Sequence, residues 1–358
     1  MADVRLIVNG TRHGGWKTIA ISRSIESISG TFSLSISDKW LGQNNPWPIL
    51  EEDRARVEID GDPVIDGFVD SREVEIGATN RDLSYNGRDK SGALVDNSVL
   101  LDGRRWTFRK LGVVEIAKQL ATPFGISVAT QPGLVLPEAA RKTVVNPGDT
   151  AFEVIARAAA QAGVLVVGDG LGGITITRAG TRRVEPLILG RNIKTIGVSY
   201  NATERFSRYV LVTQTAGTDT ASGAATRIRA EARDLGVRRE DRVLVVRPEA
   251  GMAIATGRRR VNWEANVRRG RAQTVTVTVQ GWRQQSGDLW PVNALAEVEA
   301  VEAGVNGPLL ISRVDYSTSI GEGQIARLTL VDPLTFTPEP VAKKAAASGG
   351  WKELRKGA

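Results

Sequence analysis

Alternating apolar and polar positions dominate the chain and predict a protein built mainly from β-strands. In the stretch TFSLSIS, residues 31–37, the apolar side chains fall on one face of a strand and hydroxyl groups fall on the other. The same alternation continues in VRLIVNG, WKTIAIS and RDLSYNGRD. In RARVEIDGDPVIDGFVDSREVEI, Asp60 and Gly61 mark the turn of a hairpin. We therefore predict an all-β domain over residues 1–98.

Residues 99–182 carry a helical pattern instead. The segment TFRKLGVVEIAKQLATPFG spaces its apolar residues at helical intervals and stops at Pro-Phe-Gly. A second helix is predicted in NPGDTAFEVIARAAAQAG, where Asp149 or Thr150 can cap the first turn. Glu153 is placed for a capping box with Thr150, and Gly163 ends the helix. The following hairpin, VLVVGDGLGGITITRAG, lacks the Lys-Ser/Thr of a phosphate loop, so its glycines favour a β-turn. We predict a small α/β accessory domain.

Residues 183–338 return to strand alternation around one helix. The predicted strands lie in NIKTIGVSY, RYVLVTQTAG, DRVLVVRP, QTVTVTVQGW, LAEVEAVEAG, LLISRVDYSTSI and QIARLTLVDP. The helix is predicted from about Glu249 to Arg269, with Gly257 as an irregularity. The small, polar segment GTDTASGAAT is predicted to be a mobile loop, and the basic residues 339–358 are predicted to be a flexible tail.

The second strand-rich region repeats the first. The landmarks align in one order: Phe32 with Val275, Trp47-Pro48 with Trp290-Pro291, ARVE (55–58) with AEVE (296–299), Val69-Asp70 with Val314-Asp315, and Leu83 with Leu328. Two unrelated β regions with a common strand pattern are the alternative. The shared order and intervals favour a duplicated β-domain.

A duplicated domain has a consequence for symmetry. Closed oligomers are built on rotation axes. Three copies of a chain that holds two similar domains place six similar units around one axis. Such a ring can seat against a hexamer on one face and a trimer on the other.

Positive charge is concentrated in one segment. The chain has 47 Lys and Arg against 40 Asp and Glu, a net charge of +7, and residues 227–271 contain thirteen arginines and six acids. A surface for phosphate or an acidic partner and a solvated helix face with local ion pairs both fit this pattern. No aromatic residues are interleaved for stacking on bases, so the segment argues against sequence-specific nucleic-acid recognition. The candidate interface residues are Arg258, Arg259, Arg260, Trp263, Arg268 and Arg269.

Catalytic chemistry has few residues available. There is no cysteine, and the single histidine, His13, falls in a predicted turn, TRHGGW. We predict no catalytic residue, no metal site and no cofactor. The alternative is a cell-envelope protein that binds or hydrolyses glycan, with Asp60, Asp62 and Asp66 as carboxylates and the eight tryptophans stacking on sugars. No apolar run is long enough for membrane insertion, and the N-terminus lacks a secretory pattern.

Several segments resemble the baseplate hub proteins of Mu-like contractile-tailed phages, a group related to the late control protein D family. They are GWKTIAISRSIESISGTFSLSISDKW, VEIDGDPVIDGFVD, NPGDTAFEVIARAAAQAGVLVVGDGLGGITITRAG, VNWEANVRRGRAQTVTVTVQGWRQQSGDLWPVN, GPLLISRVDYS and LTLVDP. The resemblance runs from about Ile7 to Pro333 and contains no catalytic motif.

The resemblance implies a fold, a function and a set of partners. The fold is mainly β, with two similar tail-tube-like β-barrel domains (1–98 and 183–338) and an inserted α/β accessory domain (99–182). The function is that of a structural, non-enzymatic hub: a homotrimeric, pseudo-hexameric ring between the hexameric tail tube and the trimeric central spike. Baseplate wedge proteins are further partners, and DNA only passes through the lumen. The expected location is the virion tail baseplate, with assembly in the host cytoplasm.

Overall fold

The computed structural model describes residues 3–37, 49–77, 81–100, 106–138, 142–180, 182–214, 227–247, 254–319, 321 and 323–340. The fold is mainly β with a smaller α/β part, as the sequence predicts. The chain forms two compact units. One contains Met1–Tyr200 with Gln273–Pro338, and the other contains Asn201–Ala272 with Glu339–Ala358.

The predicted domain boundaries at residues 98, 182 and 338 stay predictions. The loop predicted at 217–226 lies outside the described residues, and so does the predicted tail beyond residue 340. The two units are therefore described separately, each from its own strands and helices.

Seven strands form the first group. They are β1 (Val4–Val8), β2 (Thr11–His13), β3 (Thr18–Ser24), β4 (Thr31–Ser37), β5 (Arg54–Ile59), β6 (Asp62–Ile76) and β7 (Arg81–Asp89). They pair antiparallel in the order β3-β4-β7-β6-β5-β1-β2. The predicted hairpin turn is confirmed, because Asp60 and Gly61 both adopt positive φ, 53° and 89°, between β5 and β6.

The α/β module follows the first group. Its elements are α1 (Ala93–Asp96), β8 (Thr107–Phe108), α2 (Val113–Ala121), β9 (Val128–Thr130), β10 (Thr143–Val144), α3 (Ala151–Ala162), β11 (Leu165–Gly168) and β12 (Ile174–Thr177). The capping box of α3 is confirmed: the Thr150 hydroxyl accepts the Glu153 N–H at 3.2 Å, and the Glu153 carboxylate accepts the Thr150 N–H at 2.8 Å. The helix ends at Gly163, which has a φ of 66°.

The remaining strands are divided between the two units. The first unit contains β13 (Arg182–Arg183), β14 (Leu187–Ile188) and β15 (Ile193–Tyr200). The second unit contains β16 (Arg208–Gln214), β17 (Arg227–Arg233), β18 (Val243–Val246) and the helix α4 (Ile254–Arg271). The chain then returns to the first unit with β19 (Gln273–Gln280), β20 (Ala294–Ala300), β21 (Val305–Ser319) and β22 (Gly323–Val331).

The predicted repeat is present in the strand order. The second group runs β15-β19-β22-β21-β20, which matches β3-β4-β7-β6-β5 of the first group strand for strand. With Phe32 placed on Val275, the ladder pairings also place ARVE on AEVE. Each long strand carries a bulge at the matching position, Asp70 in β6 and Ser312 in β21.

Two of the aligned landmarks are wrong in register. The pairings match Val69-Asp70 with Ile311-Ser312, not with Val314-Asp315. They match Leu328 with Tyr85, not with Leu83. The two-residue period of a strand explains the Leu328 error, because apolar residues at every second position fit several registers equally well. The Val69 error is a shift of three residues, and the bulge at Ser312 allows it because the extra residue puts both Ile311 and Val314 on the buried face. The aligned pair Trp47-Pro48 lies outside the described residues, so its register is not compared.

One strand pair joins the two groups into a single sheet. Beyond its bulge, β21 pairs antiparallel with β3, from Arg313 opposite Ser24 to Thr318 opposite Ile19. One continuous core follows from this pairing, with Leu34 and Val277 both fully buried in it.

The single histidine does not lie in the predicted turn. His13 is the last residue of β2 and pairs with Leu6 of β1. Burial lowers the pKa of its imidazole. The two glycines that follow it suggested a turn, but pairing with β1 extends the strand up to them.

Candidate functional site

The predicted arginine-rich helix is present as α4. It ends at Arg271, two residues after its predicted end, and its predicted start at Glu249 lies outside the described residues. Gly257 does not break the helix. Its Cα lies on the packed face, where a Cβ would meet a Leu211 methyl at 3.4 Å.

The helix packs on a small sheet within the second unit. In that sheet β16 lies between β17, which runs antiparallel to it, and β18, which runs parallel. Val261 and Ala265 of the helix are buried against Tyr209 and Leu211 of β16. The packed face positions the arginines on the remaining surface of the helix.

Three of the six predicted interface residues are engaged within their own unit. Arg260 forms an ion pair with Glu264 at 3.3 Å and stacks over the Trp263 ring at 4.8 Å from its centroid. Arg268 pairs with Glu264 at 3.0 Å and with Glu204 at 2.8 Å. Because all these side chains are partly buried except that of Glu204, the contacts stabilise the unit itself.

The other three predicted residues are exposed. Arg258, Arg259 and Arg269 all lie on the solvent side of α4. Arg259 donates to the Thr256 hydroxyl at 3.3 Å, and in the described part of the chain none of the three pairs with a carboxylate. Arg258 and Arg259 carry positive charge that no described carboxylate pairs with, and together with Arg269 they form one face, which we name the α4 arginine face.

An internal ion pair lies close to this face. Both Nε and Nη2 of Arg205 bind the Asp234 carboxylate, at 2.5 and 2.9 Å. Burial raises the pKa of Asp234, but Arg205, the Gly236 N–H and the charge of Arg269 outweigh it, so the net pKa lies below its usual value. The carboxylate is therefore ionised and committed to the fold.

The three hairpin carboxylates are also paired with cations. Asp60 and Asp62 contact Arg283 at 3.4 and 2.8 Å. Asp66 contacts Lys90 at 3.1 Å and Arg54 at 3.4 Å. Burial raises the pKa of Asp66, yet Lys90 and Arg54 hold the net value below normal. A general acid in a glycosidase needs a raised pKa, so Asp66 does not suit that role.

A cleft beside β15 is also poorly suited to glycan hydrolysis. It has a volume of about 350 Å³, and its lining contains a single carboxylate, Glu185. The oxygens of Glu185 accept hydrogen bonds from Asn192 Nδ2 at 3.2 Å and from the Gln285 N–H at 2.7 Å. A glycosidase needs two carboxylates across the scissile bond. Trp290 in the lining is only 3% exposed, which leaves little ring surface for a sugar.

Neither a metal site nor a membrane span is found in the ranges the structure describes. There, no three or more acidic or histidine side chains are grouped to hold a metal ion, and no helix has the length and apolar character of a membrane span.

A contact that the sequence did not predict involves the glycine-rich turn between β11 and β12. The Gly170 carbonyl accepts the Asp66 N–H of β6 at 3.2 Å. A Cβ on Gly168 would lie 1.9 Å from the Ile28 carbonyl oxygen, in the β3–β4 loop. The glycines therefore bring the backbone of the α/β module against the first strand group. The high density of glycines in this turn was the sequence signal for the contact, because glycine allows two backbone segments to approach closely.

Three family models match the chain in order. The model of the Mu phage baseplate assembly protein GpP-like N-terminal domain matches residues 3–89. The second domain of the baseplate hub protein gp44-like family matches residues 91–178. The fourth domain of the Mu phage baseplate assembly protein GpP matches residues 253–339.

The chain is also similar to whole proteins. It is 25% identical over 363 residues to the baseplate hub protein gp44 of Escherichia phage Mu, covering 97% of this chain and 92% of that protein. Its structure is similar to the 43 kDa tail protein of prophage MuSo2 from Shewanella oneidensis, with 30% identity, a TM-score of 0.83, and coverage of 94% of this chain and 99% of that one. The tail protein from Neisseria meningitidis MC58 has the same fold, with a TM-score of 0.78 at 22% identity over 95% of this chain and 99% of that one.

These matches confirm the resemblance found in the sequence. They span nearly the whole chain and agree with the mainly β fold. The chain belongs to the baseplate hub proteins of Mu-like phages and is a structural protein of the phage tail baseplate.

Proposed function

We propose that this hub assembles as a homotrimeric ring with approximate sixfold symmetry, which adapts the hexameric tail tube to the trimeric central spike. The observation that carries the proposal is the repeated strand order, β3-β4-β7-β6-β5 in the first group and β15-β19-β22-β21-β20 in the second. Three chains with two such groups each place six similar strand groups around one threefold axis.

In this arrangement the two strand groups, which lie within the predicted domains 1–98 and 183–338, form the ring. Residues 99–182 lie outside it as an accessory domain. Obligate subunit interfaces bury roughly 2,000–5,000 Å², and burial of that order supplies the energy of assembly. The hub works by binding, without bond cleavage, and it is assembled in the host cytoplasm before it becomes part of the virion.

We assign the α4 arginine face to contact with acidic surface on another protein. Arg258 and Arg259 on this face carry charge that no described carboxylate pairs with. The candidate partners are the neighbouring copy, the tail tube protein, the spike protein and the wedge proteins. DNA crosses the lumen without being held there, because each neutralised phosphate would add to binding and slow its passage.

Light scattering coupled to size-exclusion chromatography tests the ring. We expect a particle of three times the chain mass of 38.5 kDa, because three chains with two similar strand groups each supply the six units of the proposed ring. A chain that stays monomeric at every concentration, and also with tube and spike proteins added, contradicts the proposal.

Charge reversal tests the α4 arginine face. The double variant Arg258→Glu/Arg259→Glu should reduce incorporation of the hub into tails at least tenfold, because it places like charge against an acidic partner. Its melting temperature should stay unchanged, since both side chains are exposed.

The control for this variant carries the same change of charge elsewhere. Arg109→Glu/Arg178→Glu replaces two exposed arginines outside α4 and should incorporate normally. If the two double variants are incorporated equally well, the α4 arginine face does not bind a partner in the tail and the assignment is wrong.

A further inference from the structure

The pairing of β21 with β3 inside the chain is a template for contacts between chains. At this junction Tyr316 lies opposite Ile21, and both side chains are 1% exposed. The two strands belong to different members of the repeat. In a ring of six similar strand groups, three junctions of this kind lie within chains and three lie between them.

The strands equivalent to β21 and β3 are β6 and β15, and both have a free edge. β15 is the terminal strand of the sheet; Ile193 at its start bridges to Leu189, and among the described strands residues 195–200 pair with β19 alone. Beyond the bulge, residues 71–76 of β6 pair with β7 on one side, and no described strand lies on their other side. These are the two edges that the internal junction leaves unused.

The free edges expose apolar side chains where the internal junction buries them. Val74, the counterpart of Tyr316, is 48% exposed, and Ile76 is 71% exposed. On β15, Tyr200 is 65% exposed. Strand edges with exposed apolar side chains are prone to pair with another chain, and soluble proteins ordinarily guard them with lysine, proline or a covering segment. β15 has one such lysine, Lys194 near its start, whereas residues 195–200 of β15 and 71–76 of β6 contain neither lysine nor proline. A second copy of this chain carries the matching edge.

We propose that β6 of one copy pairs antiparallel with β15 of the next copy, and that this pairing closes the ring described under Proposed function. The inference rests on that proposed ring. Transferring the register of the internal junction places Val74 opposite Val198 and Ile76 opposite Ile196. The apolar side chains of the two edges then meet on one face of the shared sheet.

The charged residues of β6 are compatible with this register. Glu73 falls opposite Ser199, and Glu75 falls opposite Gly197. Each glutamate therefore meets a small residue and not a like charge, which directly opposed across strands would be destabilising. The pairing is head-to-tail, so it forms a closed ring only when the rotation between copies returns to the start.

Disulfide trapping tests the register, because the chain contains no cysteine. Antiparallel strands alternate between two classes of opposed pair, so one cysteine pair of each class is made: Val74→Cys/Val198→Cys and Glu75→Cys/Gly197→Cys. On mild oxidation at least one of them should form covalent dimers and trimers that reductant reverses. The off-register control Val74→Cys/Gly197→Cys should cross-link at least tenfold less, because its side chains point to opposite faces.

Edge charge gives a second, independent test. At equal protein concentration, Ile76→Glu should raise the ratio of monomer to trimer at least tenfold. Val135→Glu changes a residue that is 79% exposed and lies outside these edges, and it should leave that ratio unchanged. A trimer by light scattering that neither cysteine pair cross-links, or that survives Ile76→Glu, overturns this pairing and leaves the ring standing. A chain that never trimerises overturns both.

Discussion

Leu34→Asp is expected to abolish soluble folding. Leu34 is fully buried in β4, between Ile19 of β3 and Tyr85 of β7. Removing the leucine side chain costs about 2–5 kcal/mol. Placing an unpaired carboxylate there costs several kcal/mol more, or forces it to be protonated. The sum is comparable to the whole stability of a domain, about 5–15 kcal/mol.

The neighbouring residue provides the control. Ser33 lies on the opposite, exposed face of the same strand, so Ser33→Asp should fold and remain soluble. In the second strand group Val277 is also fully buried, and Val277→Asp should fail in the same way. The measurement is the soluble fraction after expression, followed by thermal melting. A soluble Leu34→Asp protein that melts cooperatively would show that the buried face of β4 is assigned wrongly.

The strands and their buried faces could be predicted because the information is local. A strand has a period of two, so TFSLSIS alone indicates which side chains are buried. The turn at Asp60 and Gly61 and the capping box at Thr150 also depend only on neighbouring residues. The repeat was visible for the same reason, since each copy retains the local pattern of its strands.

Register and long-range pairing could not be predicted in this way. The bulges at Asp70 and Ser312 fix the true correspondence between β6 and β21, and a bulge is set by backbone pairing that the sequence pattern does not show. The β21–β3 junction joins residues separated by nearly the whole chain. Nothing in either strand taken alone specifies that partner.

The charge pattern of the sequence was enough to find the arginine cluster. It could not show that some of these arginines stabilise the unit while others remain exposed. The sequence groups six residues of α4 together. In the structure Arg268 donates a hydrogen bond to the carboxylate of Glu204, which is 64 residues away in the chain, whereas Arg258 is exposed. An arginine run cannot reveal which side chains meet carboxylates brought in by other elements, so only the folded unit separates the stabilising arginines from the available ones.

Gly168→Ala is expected to be the most damaging single-methyl change in the α/β module. The added Cβ would lie 1.9 Å from the Ile28 carbonyl oxygen, a distance that requires backbone to move. That carbonyl also accepts the Ser91 hydroxyl at 2.9 Å, and the Ile28 side chain is buried in the core of the module. Overpacking and the loss of this hydrogen bond together cost about 3 kcal/mol or more.

Gly14→Ala is the matched control for this substitution. Gly14 is exposed, and its added Cβ would meet nothing closer than the Val4 carbonyl at 3.8 Å, an ordinary contact. Thermal unfolding should place Gly168→Ala roughly 6–12 °C below the parent protein, with Gly14→Ala close to it. The difference arises because Gly168 lies where the α/β module meets the β3–β4 loop, so the methyl group separates two layers that the glycine lets touch. Equal melting temperatures for the two variants would mean that β11 can move away from Ile28 at no cost, and that the glycine-rich turn does not hold the module in place.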